Sequence, residues 1–301
     1  MLKFPTKNLF IEGPDCSGKT TLVRNIHKLT NYKWHIHDRS QVSRDLFASM
    51  YDRKLQFLKD DLHMEVSDLN NRFIFMLPDF SVIEQRFAAR GDEIHDDLVS
   101  IRRVYDAFVK TYELYSGYPN VTPCLSIATP MQCEGIISSL NIIEELSLEG
   151  ISNQVTRFVE FSGGESYPLQ FTLYDDCRFE EASSDSMLHD TEADYYKRIY
   201  NGLHEKIDRE LRGENEYNRT EDFSSRRFIY TDNSCISFIH LSIREDLMDF
   251  HVVIRSSDTE KIFPHDLKFL YYLASTCYER FKDKCCLARL RFNLNSAHII
   301  R

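Results

Sequence analysis

The stretch Gly13-Pro14-Asp15-Cys16-Ser17-Gly18-Lys19-Thr20 decides the fold of the first half of this 301-residue chain. It satisfies the spacing G-x-x-x-x-G-K-[ST] without a mismatch. It follows an apolar run over residues 9–12 and opens a helical pattern over Lys19–Leu29. A strand, a glycine-rich turn and a helix N-terminus in that order are typical of a phosphate-binding loop. The spacing therefore predicts a nucleoside-triphosphate site.

Each part of this loop has a predicted role in holding a triphosphate. The glycines let consecutive backbone N–H groups curl around phosphate oxygens, and the helix N-terminus adds positive potential. We expect Lys19 to reach the β- and γ-phosphates and Thr20 to offer its hydroxyl to Mg²⁺. ATP and Mg²⁺ are the expected cofactors, and the expected binding residues are Gly13, Asp15, Cys16, Ser17, Gly18, Lys19, Thr20 and Thr21.

Strand-like and helix-like patterns alternate through the rest of the first half. Strands are predicted at residues 34–37, 72–77 and 121–127, and helical spacing covers residues 42–69, 81–113 and 135–146. Alternation of this kind favours an α/β fold with a mostly parallel sheet that helices cover on both faces.

The pattern changes after about residue 150, so we expect one domain over residues 1–150 and a second, α+β domain over residues 151–301. Its predicted strands are residues 158–161, 169–174, 228–230, 235–243 and 248–254, and its predicted helices are residues 193–211 and 267–281. Residues 175–194 carry eight acids against one arginine. Like-charge blocks are usually solvated, which predicts a loop there.

Composition excludes several classes of protein. The chain has 37 basic and 47 acidic side chains, a net charge of −10, and 42% hydrophobic residues. It has no stretch of about 18 uncharged apolar residues, so we expect no membrane partner. The first residues lack the long apolar core and the small-residue cleavage site of a signal peptide, so none is expected. Eight scattered cysteines without a CxxC pair indicate neither a disulfide scaffold nor a zinc site. A soluble cytoplasmic protein is expected, in the host cytoplasm if a phage encodes it.

The residues around the loop resemble the thymidylate kinases, whose loop reads E-G-x-D-G-x-G-K-[ST]-T. Here the segment is Glu12-Gly13-x-Asp15-x-x-Gly18-Lys19-Thr20-Thr21, with Cys16 in place of a glycine. Asp38-Arg39-Ser40 resembles the family's Asp-Arg pair, in which the arginine grips the acceptor nucleotide. The resemblance covers about residues 7–148 and implies a P-loop kinase fold.

A second part of that resemblance concerns the arginines. The stretch from Leu77-Pro78-Asp79 through Arg86 and Arg90 to Arg102-Arg103-Val104-Tyr105 is similar to the family's strand, arginine-bearing lid and following helix. The resemblance implies Lys19, Asp38, Arg39, Arg86 and Arg90 as catalytic residues. The alternatives are a surface ion pair at Asp38-Arg39 and a solvated helix face at Arg86 and Arg90.

The second half resembles the thymidylate synthases and pyrimidine hydroxymethylases. Their nucleophilic cysteine is followed 20 residues later by Arg-Ser-x-Asp, as Cys235 is here by Arg255-Ser256-Ser257-Asp258. The resemblance implies a pyrimidine-recognition domain that forms a homodimer. Its implied substrate-binding residues, with Asp15 and Arg39 of the first half, are Arg226, Arg227, Cys235, Arg255, Ser256, Asp258, Asp266 and His298.

Departures from this second family favour binding over catalysis. Cys235 stands in Asn233-Ser234-Cys235-Ile236 instead of the family's Pro-Cys-His, and the sequence ends at Arg301, before the family's folate-closing tail. A buried structural cysteine is the alternative reading of Cys235.

A phosphate loop joined to a pyrimidine-recognition domain predicts a pyrimidine kinase. Asp38-Arg39-Ser40 also resembles the E-R-S triplet of deoxynucleoside kinases, whose acid deprotonates the attacking hydroxyl. This favours a kinase of the phage 5-hydroxymethyluracil DNA kinase branch, which acts in thymidine hypermodification. The alternatives are a thymidylate-type kinase acting on free nucleotide, a bifunctional synthase–kinase and a nucleotide sensor. DNA binding would use a local basic stripe in residues 267–301, for which a solvated helix face is the alternative.

Overall fold

A computed structural model of the chain describes residues 2–32, 34–54, 58–91, 97–126, 143–166, 168–182, 193–212 and 228–300. The chain is a mixed α/β protein with two compact units. Thr6–Ile143 form the first, which we name the loop unit. Met1–Pro5 and Glu144–Arg301 form the second, which we name the sheet unit. No helix in the described ranges combines the length and apolar character needed to cross a membrane.

The elements alternate early in the chain and become strand-rich later. The strands are β1 (Leu2–Pro5), β2 (Asn8–Glu12), β3 (His35–Asp38), β4 (Asn71–Phe75), β5 (Ile143–Leu146), β6 (Glu165–Ser166), β7 (Leu169–Asp175), β8 (Phe228–Thr231), β9 (Ile236–Arg244), β10 (Leu247–Ile254), β11 (Ser257–Asp258), β12 (Leu287–Leu294) and β13 (Ala297–His298). The helices are α1 (Lys19–Leu29), α2 (Gln41–Met50), α3 (Leu58–Val66), α4 (Phe80–Arg90), α5 (Leu98–Tyr115), α6 (Leu148–Phe161), α7 (Ala193–Leu211) and α8 (Phe263–Glu279).

The loop unit contains a three-stranded sheet in the order β3-β2-β4, and both pairings are parallel. Ile11 is in register with Asp38, and Glu12 with Phe75, so the three carboxyl ends lie along one edge. Leu9 and Ile11 pack with α1 on one face of the sheet. The loop that follows β2 therefore begins at the edge where ligands of open parallel sheets bind.

The segment predicted as a strand over residues 121–127 pairs less regularly. In its described part, residues 121–126, isolated parallel bridges join Val121 to Phe73 and Leu125 to Met76. Most of the helix predicted over residues 135–146 lies outside the described residues. Its last four residues form β5, so the helix prediction is wrong there.

The large sheet of the sheet unit has the order β5-β1-β7-β12-β10-β9-β8. The β1–β7, β7–β12, β9–β10 and β8–β9 pairs are antiparallel, and the β10–β12 pair is parallel. Burial alternates along β7 and β12, because one face of the sheet packs into the core. Helix α8 is rich in buried apolar residues and contacts α6 and α7.

The structure corrects one prediction in the sheet unit and adds one strand. Residues 158–161 end helix α6 and are not a strand, because Val155, Phe158 and Val159 belong to a buried stripe at helical spacing. Strand β12 was not predicted. Its buried Leu290 and Phe292 alternate with the polar Arg291 and Asn293, the period-2 pattern of a half-buried strand.

Gly202 in helix α7 tests how tightly this helix packs on strand β8. A Cβ at Gly202 would overlap Cε2 of Tyr230 and lie 2.9 Å from its Cδ2. Alanine normally stabilises a helix interior by about 1 kcal/mol over glycine. We expect Gly202→Ala to lower the melting temperature instead, by several degrees, because the buried Tyr230 ring must move.

The matched control is Asn201→Ala, at an exposed position of the same helix. Thermal unfolding followed by circular dichroism should show an unchanged or slightly higher melting temperature for this variant. Equal melting temperatures for the two variants would contradict the packing of Gly202 on Tyr230.

Candidate functional site

Glycine permits the close approach of the loop to strand β4. Gly13 has a φ of 146° and Gly18 a φ of 101°. A Cβ on Gly13 would lie 2.5 Å from the carbonyl oxygen of Met76, closer than real Cβ atoms approach. The Met76 N–H also donates to the carbonyl of Glu12 at 2.8 Å. The turn after β2 can therefore pass the end of β4 only with glycine at position 13.

Cys16, the departure from the glycine pattern, is held by its surroundings. It has a φ of 62°, a conformation that glycine adopts at less cost. Its side chain is buried with Ile83 and Ile101, and Arg90 Nη2 donates to its Sγ at 3.3 Å. These contacts offset the strain of a positive φ at Cys16, which is larger than the glycine of the pattern.

The Lys19 ammonium lies inside the turn. The side chain is 6% exposed, and Nζ donates to the carbonyl of Pro14 at 2.9 Å and lies 3.8 Å from Asp15 Oδ1. Burial lowers the pKa of Lys19, the nearby Arg39 lowers it further, and the surrounding carboxylates oppose both effects. A bound anion would likewise stabilise the charged form of this lysine.

Thr20 and Asp38 form the next part of the site. Thr20 Oγ1 donates to Asp38 Oδ2 at 2.8 Å, which joins the start of α1 to the end of β3. A hydroxyl beside a carboxylate suits Mg²⁺, which binds through one or two such oxygens together with substrate phosphates. The described residues contain no group of three or more acidic, His or Cys ligands, so a cation here would rely on such phosphates.

Arg39 is fixed to the loop as firmly as Asp38 is. Its Nη2 donates to Asp15 Oδ1 at 2.5 Å, and its backbone N–H donates to Ile11 at 3.0 Å. Its guanidinium lies over the ring of Phe47, with Cζ 4.8 Å from the centroid. Asp38 and Arg39 therefore each bond to the loop, in contrast to the surface ion pair considered as the alternative.

The two arginines predicted on α4 also reach the loop. Arg86 Nη1 donates to the carbonyls of Cys16 at 3.1 Å and Ser17 at 2.7 Å. Arg90 contacts Cys16, as described above. Ser17 is fully buried, and Thr21 is exposed at the start of α1. The structure thus brings Lys19, Arg39, Arg86 and Arg90 together around the loop.

One residue of this site had no predicted role of its own. Glu12 is fully buried, and the Ser43 hydroxyl donates to its Oε2. Burial raises the pKa of Glu12, and interactions with Ser40 and Ser43 oppose that rise. The Ser40 hydroxyl also caps α2 by accepting from the N–H of Val42 at 3.0 Å. Glu12 thus fastens the start of α2, directly after Asp38-Arg39, to the strand that bears the loop. The sequence signal that could have identified Glu12 is an acidic residue at the end of a buried apolar strand.

An open groove of about 550 Å³ extends from Asp38 along β3. The rings of Phe10 and His37 stack along it, 4.8 Å apart. Glu65 lies at the groove and accepts from the backbone N–H of Gln41 at 2.8 Å. Burial raises the pKa of Glu65. The groove offers an aromatic surface and polar groups next to Asp38, a combination that fits a heterocyclic acceptor.

In the sheet unit, several predicted substrate residues are neighbours. The N–H of Arg255 donates to the carbonyl of Cys235 at 2.7 Å, and Ser256 Oγ lies 3.5 Å from His298 Nδ1. Strand β11 pairs in parallel with β13, which brings these segments side by side. Arg255 is exposed, and its guanidinium has no ion pair or hydrogen bond with any residue that the structure describes.

The two predicted aspartates of this unit are engaged inside the fold. Asp258 Oδ1 accepts from the N–H groups of Glu260 at 3.0 Å and Lys261 at 3.1 Å. Asp266 is buried and accepts from the hydroxyl of Tyr196 at 2.9 Å. Contact of either aspartate with a substrate stays a prediction. Arg226 and Arg227 lie outside the described residues.

The chain has few recognisable similarities to known proteins. No family model matches the chain, and no curated protein does. Among solved structures, the chain is similar to thymidylate synthase from T4 phage, with 18% sequence identity and a TM-score of 0.26. That match covers 36% of this chain and 38% of the synthase chain. Similarity at this level carries no functional argument.

Lys19 provides the first test of the site. If the loop binds a triphosphate as the sequence predicts, we expect Lys19→Ala to reduce phosphoryl transfer on the order of 10²-fold or more, because the variant lacks the charge that would stabilise the transferring phosphate. Lys28→Ala, an exposed lysine on the same helix, is the matched control and should keep full turnover. Consumption of ATP in the presence of an acceptor is the measurement, with circular dichroism as a check of folding. Equal rates for the two variants would exclude the loop from the reaction.

Proposed function

We propose that this protein is an ATP-dependent kinase that transfers the γ-phosphate to a pyrimidine deoxynucleotide. The proposed acceptor is the 5-hydroxymethyl group of 5-hydroxymethyluracil in DNA. The observation that carries the proposal is the pair of bonds from Asp38 to Thr20 and from Arg39 to Asp15. These bonds fasten a phosphate loop to an acid–arginine pair at the carboxyl edge of a parallel sheet.

The loop supplies the groups that a triphosphate requires. Lys19 and Arg86, which bond to carbonyls of the loop, would offset negative charge on the β- and γ-phosphates, and the N-terminus of α1 would add its dipole. Thr20 and Asp38 would hold Mg²⁺, which neutralises charge on the bridging phosphate oxygens when it is bound. In the free protein, carbonyl and carboxylate oxygens of the loop bond to these cations. Oxygens of the triphosphate would replace these protein oxygens.

Asp38 is the proposed partner of the acceptor alcohol. Transfer forms a bond from the alcohol oxygen to the γ-phosphorus and breaks the bond from that phosphorus to the bridging oxygen of ADP. The alcohol must also lose a proton, and a carboxylate within hydrogen-bond reach can accept it. Asp38 Oδ2 is bonded to Thr20, and no described residue bonds to Oδ1. One oxygen can therefore face the metal position while the other faces the alcohol.

A second candidate is a thymidylate-type kinase that phosphorylates free nucleotide. Arg39 supports this candidate, because an arginine at the carboxyl edge can bind an acceptor phosphate bidentately. A phosphate acceptor is already anionic and needs no base. The two candidates therefore differ in what they require of Asp38.

The sheet unit is proposed to recognise a pyrimidine nucleotide. The exposed guanidinium of Arg255, beside Ser256 and His298, supports a phosphate contact. This proposal makes Cys235 a binding-site residue without a covalent role. A bifunctional synthase–kinase would instead require Cys235 as a nucleophile.

The direct test offers ATP and Mg²⁺ with three acceptors: thymidylate, 5-hydroxymethyl-deoxyuridylate, and an oligonucleotide containing 5-hydroxymethyluracil. Mass spectrometry identifies the acceptor that gains a phosphate. We expect the modified oligonucleotide to gain it, and an oligonucleotide with thymine at that position to gain none. Phosphorylation of thymidylate alone would favour the second candidate. ATP turnover without any of these products would contradict both.

Asp38→Asn tests the assignment of Asp38 as the base. The change keeps the shape of the side chain and removes its basicity. With an alcohol acceptor we expect kcat to fall by about 10²–10⁴-fold. Binding of a non-hydrolysable ATP analogue should remain measurable, because Gly13–Thr20 is untouched. If the variant keeps more than about a tenth of the wild-type kcat, the base assignment is wrong.

Cys235→Ser tests the role of the sheet unit. We expect kinase turnover to stay within about twofold of wild type, because serine is close in size to this half-buried cysteine and the proposal gives the thiol no covalent role. The parallel measurement supplies deoxyuridylate and a folate one-carbon donor to both proteins. A folate-dependent product that wild type makes and Cys235→Ser does not would establish the bifunctional enzyme instead.

A further inference from the structure

The basic stripe predicted near the end of the chain is largely neutralised. Arg280 pairs with Asp208, and Lys282 lies 3.3 Å from Glu279. Arg289 and Arg291 both bond bidentately to the single carboxylate of Asp249. Four cations of this segment are thus paired with carboxylates of the protein, so the segment offers less positive charge than its sequence indicates. A nucleic-acid contact must therefore be sought elsewhere.

The loop unit is less acidic than the rest of the chain. Residues 6–143 carry sixteen basic and eighteen acidic side chains, so most of the net charge of −10 belongs to the other residues. Within this unit an open groove of about 610 Å³ lies along α5 and the end of α2. Its residues include Met50, Val99, Arg102, Arg103, Asp106 and Lys110. We name it the α5 groove.

The α5 groove has cations that the protein leaves available. Arg102 pairs with Asp106 at 3.0 Å. The charged groups of Arg103 and Lys110 are exposed, and neither has an ion pair or hydrogen bond with a residue in the described ranges. These two residues are seven apart on one helix, so they share a face. Val99, on the same face, is 77% exposed. Two available cations beside an apolar surface complement a single strand of nucleic acid, which has charged phosphates and apolar bases.

A row of stacked groups connects this groove with the acceptor arginine. Arg39 lies over Phe47, and Phe47 stacks on Tyr51 at 6.2 Å with an angle of 11° between the rings. Arg53 lies over Tyr51 with Cζ 5.2 Å from the ring centroid. Tyr51 is 42% exposed and adjoins Met50 of the groove. Aromatic rings interleaved with arginines provide stacking surfaces for unpaired bases.

We propose that the α5 groove and the row from Tyr51 to Arg39 bind a single strand of DNA. Arg103 and Lys110 contact its phosphates, and the strand leads along Tyr51 towards Asp38 and Arg39. This proposal rests on the proposed function, because it supplies the contact that distinguishes DNA from a free nucleotide as the acceptor. It also explains how an acidic protein holds a polyanion through a local surface.

The test measures binding of a fluorescein-labelled 12-nucleotide single strand containing one 5-hydroxymethyluracil, without ATP, by fluorescence anisotropy over a range of salt concentrations. The variant is Arg103→Ala/Lys110→Ala. The matched control is Arg24→Ala/Lys28→Ala, which removes two exposed cations from α1. Loss of two phosphate contacts should flatten the slope of log K against log salt by about 1.4. We expect binding at low salt to weaken about tenfold or more in the groove variant only.

Three results would overturn the groove assignment: no binding by the wild type, an unchanged slope in the groove variant, or equal losses in both variants. The turnover experiment separates this proposal from the proposed function. A groove variant with a raised KM for the oligonucleotide and an unchanged KM for 5-hydroxymethyl-deoxyuridylate supports both. Groove-dependent binding without phosphorylation of any acceptor leaves the groove established and overturns the kinase.

Discussion

The close approach of Gly13 to the carbonyl of Met76 is the constraint on which the candidate site depends. It brings the turn after β2 against the end of β4, and the Met76 N–H to Glu12 bond holds the two segments in place. From this position the turn can receive Arg86 from α4 and Arg39 from the end of β3. A side chain at position 13 would push the turn away from both arginines.

A second constraint is the pairing of charge inside the site. Lys19 is almost buried, and a buried ammonium is costly unless it is paired. Pro14 and Asp15 satisfy it here, while Asp15 also accepts from Arg39. Lys19, Arg39 and Arg86 thus bond to neutral carbonyls or to a shared carboxylate, and Arg90 donates to the sulfur of Cys16. Under the proposed function, a triphosphate would bring stronger acceptors, and the exchange of these partners for phosphate oxygens would favour its binding.

The buried Glu12 carboxylate explains why the acid–arginine pair stays at the loop. Through Ser43 it ties the first turn of α2 to β2. Asp38 and Arg39 lie between these two anchored segments, and Arg39 has a φ of 81° that the surrounding bonds must maintain. The positions of the two proposed acceptor residues therefore depend on β2, the strand that leads into the Gly13–Thr20 turn.

The sequence predicts the parts of this protein that local pattern determines. Helix α1 has the predicted bounds Lys19–Leu29, because glycine, lysine and helical spacing mark its start. Residues 158–161 were misassigned, because a short apolar run fits a strand and a helix end equally well. The bonds from Thr20 to Asp38 and from Arg86 to Ser17 join residues 18 and 69 positions apart, and no local pattern encodes them. The neutralised Arg289 and Arg291 could not be predicted either, because their partner Asp249 lies on another strand.

The central claim is that Gly13–Thr20 bind the phosphates of a nucleoside triphosphate with Mg²⁺. Calorimetric titration of the full chain with a non-hydrolysable ATP analogue, in the presence and absence of Mg²⁺, tests this claim most directly. The account predicts that the analogue binds at least about tenfold more tightly than AMP, a difference of about 1.4 kcal/mol, and that Mg²⁺ strengthens its binding. Equal affinity for AMP and the analogue, or no binding of either, would contradict it.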